Sequence, residues 1–391
     1  MKCTGLDSST GELVEVGFSE TIDSVEPSLA PAPTAEKDVF VAPAWIDVQV
    51  NGFAGADYND PETPIEEIGR SIEAQFSTGV ARLFPTVITG SPERMTGALR
   101  NLCQARETLP HGAALEAFHV EGPFISPEDG PRGAHPARWV RPPSLDEFHR
   151  FQDAAGGHIR LFTLSPEWPE APAFIEAVAR TGVTVSIGHT KATAAQIQDA
   201  VNAGATMSTH IGNGAHAILP RHPNYIWEQL AEDRLAAGFI VDGIHLPLSF
   251  LKVALRAKGT ERAVLVTDAV MPAGCAPGPY RLGEVDVVLH PDESVRLAGG
   301  TRLAGSALRM DRAIGNVMRM AGLTLREAIT LATRNPARVC RVPGRQRGLS
   351  AGERADLVRF RLVQGRLQIL ETYLRGELVF SAEEMKTGAS S

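Results

Sequence analysis

A glutamate, two histidines and an aspartate each stand at the end of a short apolar run: Glu121 in AFHVEGPF, His189 in VSIGHT, His210 in MSTHIGN and Asp268 in LVTDA. One carboxylate and two imidazoles suit a catalytic zinc ion whose fourth position is open to water. Such an ion lowers the pKa of that water from near 16 to roughly 7 and polarises a carbonyl oxygen. Asp268 could take the water's proton and later deliver it to a leaving amine. Together these are the parts of amide hydrolysis. A single such residue at a strand end is more often an ordinary hydrogen-bonded one, but burying the set without a cation costs several kcal/mol per uncompensated charge. The ligand set expects one divalent metal ion, Zn²⁺ first, with Fe²⁺, Co²⁺ and Mn²⁺ also acceptable to it. His135 in GPRGAHP and His245 in DGIHLP stand in Gly/Pro-flanked loops, where a donor could meet substrate oxygen or a developing oxyanion. Asp242 is placed to orient the loop carrying His245. Arg221 in LPRHPNY is a candidate anion contact.

These residues can meet only if distant strand ends converge. Eight apolar runs alternate with helical patterns, at 44–50, 81–87, 115–120, 159–164, 183–187, 205–210, 236–241 and 263–267. Eight is the number a closed parallel barrel requires, and in such a barrel every carboxyl end opens on one face. Thr193-x-x-Gln196 reads as a capping box, Ile197, Ala200 and Val201 share a helical face, and Gly204 sits where a C-cap is expected. A doubly wound open sheet would also alternate, but there is no G-x-G-x-x-G after the first run and no Walker loop.

Residues 1–42 read as short strands and turns with a Pro/Ala/Ser-rich stretch, VEPSLAPAPTAEK, too fragmented to stand alone. From 343 onward, DLVRFRL, LQILETYLRG and ELVF read as sheet segments. The expected architecture is a (β/α)₈ TIM-type barrel over 43–342, beside a small β-sandwich built from 1–42 and 343–391. The KTGASS tail is expected to fray.

Composition narrows the function classes. Lys+Arg 38 against Asp+Glu 46 gives a formal net charge of −8 over 391 residues. That field repels nucleic acid and anionic membranes, so an anionic substrate must meet local positive charge. Cys3, Cys103, Cys275 and Cys340 lack C-x-x-C spacing, as expected of idle thiols in a reducing compartment. No apolar run approaches ~18 residues and the N-terminus lacks a signal-peptide core, so a cytoplasmic protein with no membrane partner is expected.

Several stretches together resemble the N-acetylglucosamine-6-phosphate deacetylase family of the amidohydrolase superfamily: PAWIDVQVNGFAGADYND, HVEGPFISPEDGPRGAHP, SIGHTKATAAQIQDAVNAGAT, STHIGNGAH, FIVDGIHLP, VTDAVMPAG, LAGSALRMDRAIGN and ATRNPARV. EGPF, GHT with its following helix, TDA and LAGSAL are specific as a set. The resemblance implies metal ligation by Glu121, His189 and His210 and acid/base work by Asp268. It also implies that His135 contacts the N-acetyl region, that His245 contacts the sugar, and that the Asn213-Gly214 backbone with Arg221 receives a phosphate. In the family this last contact can act across a homodimer interface. Ala304 in LAGSAL is implied as a substrate contact, with Gly305-Ser306 shaping the pocket mouth, although Ser306 also reads as a helix cap. The implied substrate is a small amino-sugar phosphate, N-acetyl-D-glucosamine 6-phosphate. Alternatives are the galactosamine epimer, an unphosphorylated amino sugar or an N-acyl amino acid.

Two departures from the family pattern stand out. Many amidohydrolases carry His-x-His after the first strand, where this chain has Gln49-x-Asn51, so one metal is favoured over two. In the substrate loop, IGNGAHAILPRHPN replaces the usual Asn-Ala-Met and Arg-Glu-Pro-Gly elements, bringing in His216 and His222.

Overall fold

A computed structural model describes residues 1–28, 38–283 and 285–383. Most of the Pro/Ala/Ser-rich stretch and the KTGASS tail lie outside them. All eight apolar runs form parallel strands: Trp45–Val50, Val80–Ile88, Phe118–Glu121, Ile159–Leu164, Thr184–Ile187, Ala205–Ser208, Ala236–Phe239 and Ala263–Leu265. They pair in chain order. The ring closes just past the eighth strand, where Asp268 N–H donates to Gln49 O at 2.9 Å and Asn51 N–H to Ala269 O at 2.7 Å. Helices cover the outer face, so both sides of a strand are buried and the strands read as continuous apolar runs rather than alternating ones. Every residue of Trp45–Val50 is buried, for example.

Several polar residues inside the barrel pair with one another, as burial favours. His119 Nε2 lies 2.8 Å from Thr163 Oγ1, which lies 2.7 Å from Thr209 Oγ1. Thr267 Oγ1 donates to Asp47 Oδ2 at 2.5 Å. On the outside, the helix Ala194–Ala203 begins with the expected Thr193/Gln196 capping box and ends at Gly204, whose φ of 120° suits glycine.

The chain ends form one seven-stranded sheet. Val39–Pro43 pairs antiparallel with Leu357–Val363, joining Lys2–Asp7, Leu13–Phe18 and Ile22–Pro27 on one side to Arg366–Leu374 and Glu377–Ser381 on the other. The sheet folds over on itself as a sandwich around Cys3, Val16, Phe18, Ile22, Leu357 and Tyr373. Phe18 and Tyr373 meet edge to face with ring centroids 5.3 Å apart. Phe360 stacks on Phe40 at 5.5 Å and meets Trp45 of the first barrel strand at 5.8 Å, which docks the sandwich on the barrel. All four cysteines are free thiols.

A third sheet was not anticipated. Gly278–Leu282, Val285–Leu289, Ser294–Leu297 and Leu303–Ser306 form a four-stranded antiparallel insertion between the eighth barrel strand and the helix Met310–Ala321. Its last strand is tied to the barrel where Ser306 N–H donates to Asp268 O at 2.9 Å. At its opposite end Gly283 N–H donates to Asp57 Oδ2 at 2.9 Å, and Arg302 forms a two-pronged contact with Asp129 at 3.0 and 3.1 Å. The insertion therefore arches from the eighth strand to the loops after the first and third. Among the described residues, no helix is long and apolar enough to cross a membrane.

Candidate active site

The carboxyl ends of the barrel strands open into a cavity of about 770 Å³, lined by Glu121, His135, His189, His210, Asn213, Gly214, His245, Asp268 and Ala304 among others. Arg221, the expected anion contact, is placed elsewhere. It is exposed on the loop before Tyr225 and does not line the cavity of its own chain, and His222 beside it is exposed too.

Glu121, His189 and His210 converge on one point. Glu121 Oε1 lies 3.1 Å from His189 Nε2 and 3.0 Å from His210 Nε2, and the two Nε2 atoms are 3.0 Å apart. Ligands about 2.0–2.2 Å from a tetrahedral zinc lie roughly 3.3 Å from one another, close to this spacing. Donor accounting points the same way. Pro131 O accepts from His189 Nδ1 at 2.9 Å, so the His189 proton sits there and Nε2 presents a lone pair. That lone pair faces a carboxylate oxygen, and two acceptors in contact repel unless positive charge lies between them. The three side chains are all buried and fit a divalent cation.

Asp268 lies beside this cluster, held by amides rather than by cations. Asn51 Nδ2 donates to its Oδ1 at 2.6 Å. Gln49 Nε2 reaches both carboxylates, at 3.3 Å from Asp268 Oδ1 and 3.0 Å from Glu121 Oε2. Burial, then the nearby Glu121 charge, push Asp268 up to about 6, in the range useful to a group that must both take and give a proton. Backbone conformation aims these groups: His189, His210 and Asp268 have φ of 49°, 25° and 50°, left-handed values that non-glycine residues seldom adopt. Such strain gathers at functional strand ends.

His135 packs against His189 with ring centroids 4.4 Å apart, and its Nδ1 lies 2.8 Å from Thr89 Oγ1. Burial, with the charge of His189 next, lowers its pKa to about 3. The imidazole is thus neutral, and a Thr89 hydroxyl that donates to Nδ1 leaves its one proton on Nε2. His245 is oriented by Asp242, which accepts from its ring Nδ1 at 2.6 Å and from its backbone N–H at 2.8 Å. His216 lines the cavity but is engaged by Glu128 Oε1 at 2.9 Å and Tyr225 OH at 3.0 Å. Ser306 is not a helix cap. Its hydroxyl donates to Thr267 O at 2.5 Å and accepts from Leu308 N, and the following helix starts only at Met310.

Comparison with known proteins adds the family. No family model matches the chain. A Bos taurus N-acetylglucosamine-6-phosphate deacetylase is 33% identical over 358 residues, covering 88% of this chain and 85% of the relative. The chain belongs to the N-acetylglucosamine-6-phosphate deacetylase family. A Bacillus subtilis member is 31% identical over 353 residues, covering 90% of this chain and 87% of its own. The fold agrees with a Mycobacterium smegmatis member, a mutant solved in complex with N-acetyl-D-glucosamine-6-phosphate. It superposes with a TM-score of 0.86 at 29% identity, covering 97% of this chain and 98% of the other.

Within this family member, several cavity residues escaped the sequence argument. Gln49 and Asn51 were legible only as poor metal ligands, although their spacing offered a signal. Residues 47, 49 and 51 alternate along the first strand onto one face, so the amides must point where Asp47 does, into the barrel. Thr89 and Arg302 carry no comparable signal, because each lies in a connection whose path no periodicity fixes, and Arg94 sits in the first turn of the helix Pro92–Thr108, where a lone arginine reads as solvated.

Proposed function

We propose that this chain is a metal-dependent deacetylase that hydrolyses the acetamide of N-acetyl-D-glucosamine 6-phosphate to D-glucosamine 6-phosphate and acetate. The observation that carries this reading is the convergence of Glu121, His189 and His210 on one point with Asp268 alongside, in a chain of this family. Glu121, His189 and His210 would hold one divalent ion, zinc by preference, which supplies Lewis-acid polarisation and a more acidic water when bound. Asp268 accepts the proton of the attacking water and then passes it to the departing nitrogen, which leaves as the free amine. Asn51 and Gln49 keep its carboxylate aimed during both transfers. His135, neutral, donates from Nε2 to the acetyl oxygen as negative charge develops there. His245, held by Asp242, contacts the sugar hydroxyls, and Ala304 forms part of the opposing wall.

The Asn213-Gly214 backbone receives the phosphate. Arg221 completes that site from the other subunit of a homodimer, a reading supported by its exposed position outside its own cavity. It is supported too by a group of exposed apolar side chains nearby in sequence, Ile218, Trp227, Leu248 and Val253. We further propose the division of the chain into 1–42, 43–342 and 343–391, and a cytoplasmic location, which the free thiols suit. The deciding experiment measures acetate release in parallel from N-acetylglucosamine 6-phosphate, its galactosamine epimer and the two unphosphorylated sugars. The glucosamine phosphate should give the highest kcat/KM, and a higher value for any of the other three would reassign the substrate.

A further inference from the structure

The cavity has two unlike halves. Over the third, fifth, sixth and seventh strands its wall carries the histidines, with Ala134, Ala215 and Ile218 between them. Over the second and eighth strands, with the first between them, it carries an aliphatic cluster, Val87 and Ile88 from the second strand, Met95 from the helix after it, and Leu282, Val285 and Val287 from the inserted sheet, flanked by the polar Asn51, Asn59, Thr89 and Arg94. Val285 and Val287 share one face of their strand, as alternation requires. The far end is closed where the hairpin tip docks, Gly283 N–H on Asp57 Oδ2 at 2.9 Å, beside Arg94, which is ion-paired with Asp60 at 3.4 Å.

We propose that this aliphatic half is an acyl subsite that accepts N-acyl groups longer than acetyl. The proposal rests on the functional reading above, in which Asn213, Gly214 and His245 hold the sugar phosphate. The reacting carbonyl carbon is trigonal, so its nitrogen and its alkyl substituent point in diverging directions. With the sugar on the side of the sixth and seventh strands, the alkyl substituent runs past Asp268 and His135 toward the first, second and eighth strands. An acetyl methyl reaches only the near edge of that half and leaves the aliphatic walls without partners, forfeiting their dispersion contacts. Each added methylene removes apolar surface from water there. The bonds broken and formed stay the same. Water adds its oxygen to the acyl carbon, the C–N bond breaks, the amine leaves with the transferred proton, and the longer carboxylate is released in place of acetate.

The test measures amine release by the metal-replete full chain from N-acetyl-, N-propionyl- and N-butyryl-glucosamine 6-phosphate. KM should fall by up to about fourfold per added methylene, and the butyryl kcat/KM should equal or exceed the acetyl value. Val285→Phe should fill the subsite, lowering butyryl kcat/KM by roughly tenfold or more while the acetyl value stays within about twofold. The acetyl rate reports that the variant is folded, and Leu282→Phe serves if it is not. A butyryl kcat/KM below the acetyl value in the natural chain, or an equal loss on both substrates in the variant, overturns the subsite and leaves the deacetylase reading standing. If none of the three substrates is cleaved, the deacetylase reading itself falls.

Discussion

At the scale of single residues, Asp268 and Gln49 divide the work between proton transfer and alignment. Replacing Asp268 with Asn keeps the shape and the hydrogen bond to Asn51 but removes the acceptor. Turnover should fall by ~10²–10⁴ with metal content unchanged, because that is what a positioned acid/base contributes. Near-normal kcat in steady-state assays would remove Asp268 from the chemistry. Gln49 touches two carboxylates with one nitrogen, so Gln49→Ala frees both to shift. Loss of such a supporting contact typically costs ~10–100-fold in metal affinity or rate. Elemental analysis after dialysis should find close to one ion per chain in the natural protein and less in the variant; two tightly held ions would show that Gln49 and Asn51 do not block a second site. The metal set was legible in the sequence because Glu121, His189 and His210 each follow an apolar run. The grip of Gln49 was not, since hydrogen-bond partners far apart along the chain leave no trace in local spacing.

Among elements, the eight strands were read correctly because short apolar runs between helical patterns are a strong signal. The four-stranded insertion was missed for the opposite reason. Its strands have only four or five residues each, half of them partly exposed, and the barrel pattern accounted for the chain without them. Yet it builds one wall of the cavity and fixes Asp268 through Ser306. Gly305 marks how closely the two approach. It sits at φ 66°, and a Cβ there would collide with Val270 Cγ1 and come 3.2 Å from Asp268 O. Gly305→Ala should therefore push the insertion away from Asp268. We expect kcat to fall about tenfold or more, since small misplacements at a reacting centre are costly, with KM and melting temperature changing less. A variant with unchanged kcat would mean that the insertion does not position Asp268.

Across the whole molecule, the terminal sheet is locked to the barrel by buried charge as well as by Phe360. Arg82 of the second barrel strand donates to Asp356 Oδ2 at 2.5 Å and to Pro343 O at 2.6 Å. Arg354 Nε reaches the same carboxylate at 2.7 Å, and Arg345 Nη2 donates to Asp356 O at 2.8 Å. Arg82, Arg345 and Asp356 are all buried. Burial alone would raise the Asp356 pKa, but the three guanidiniums outweigh it and hold the carboxyl well below its usual range. A carboxyl depressed in the folded state contributes stability in full above its unfolded pKa, near 3.9, and loses that contribution as pH falls through the folded value. The protein should thus lose stability steeply below about pH 4. Asp356→Asn leaves buried arginines without their partner, a change that typically costs ~3–5 kcal/mol. Denaturant unfolding of both proteins at pH 7 and pH 3 separates the contributions. The variant should be much weaker at pH 7, and the gap should narrow at pH 3 because the unfolded natural chain then binds a proton at Asp356 that the folded one does not. A gap that is absent at pH 7, or that widens in acid, would show that the sheet is held to the barrel by its apolar contacts alone.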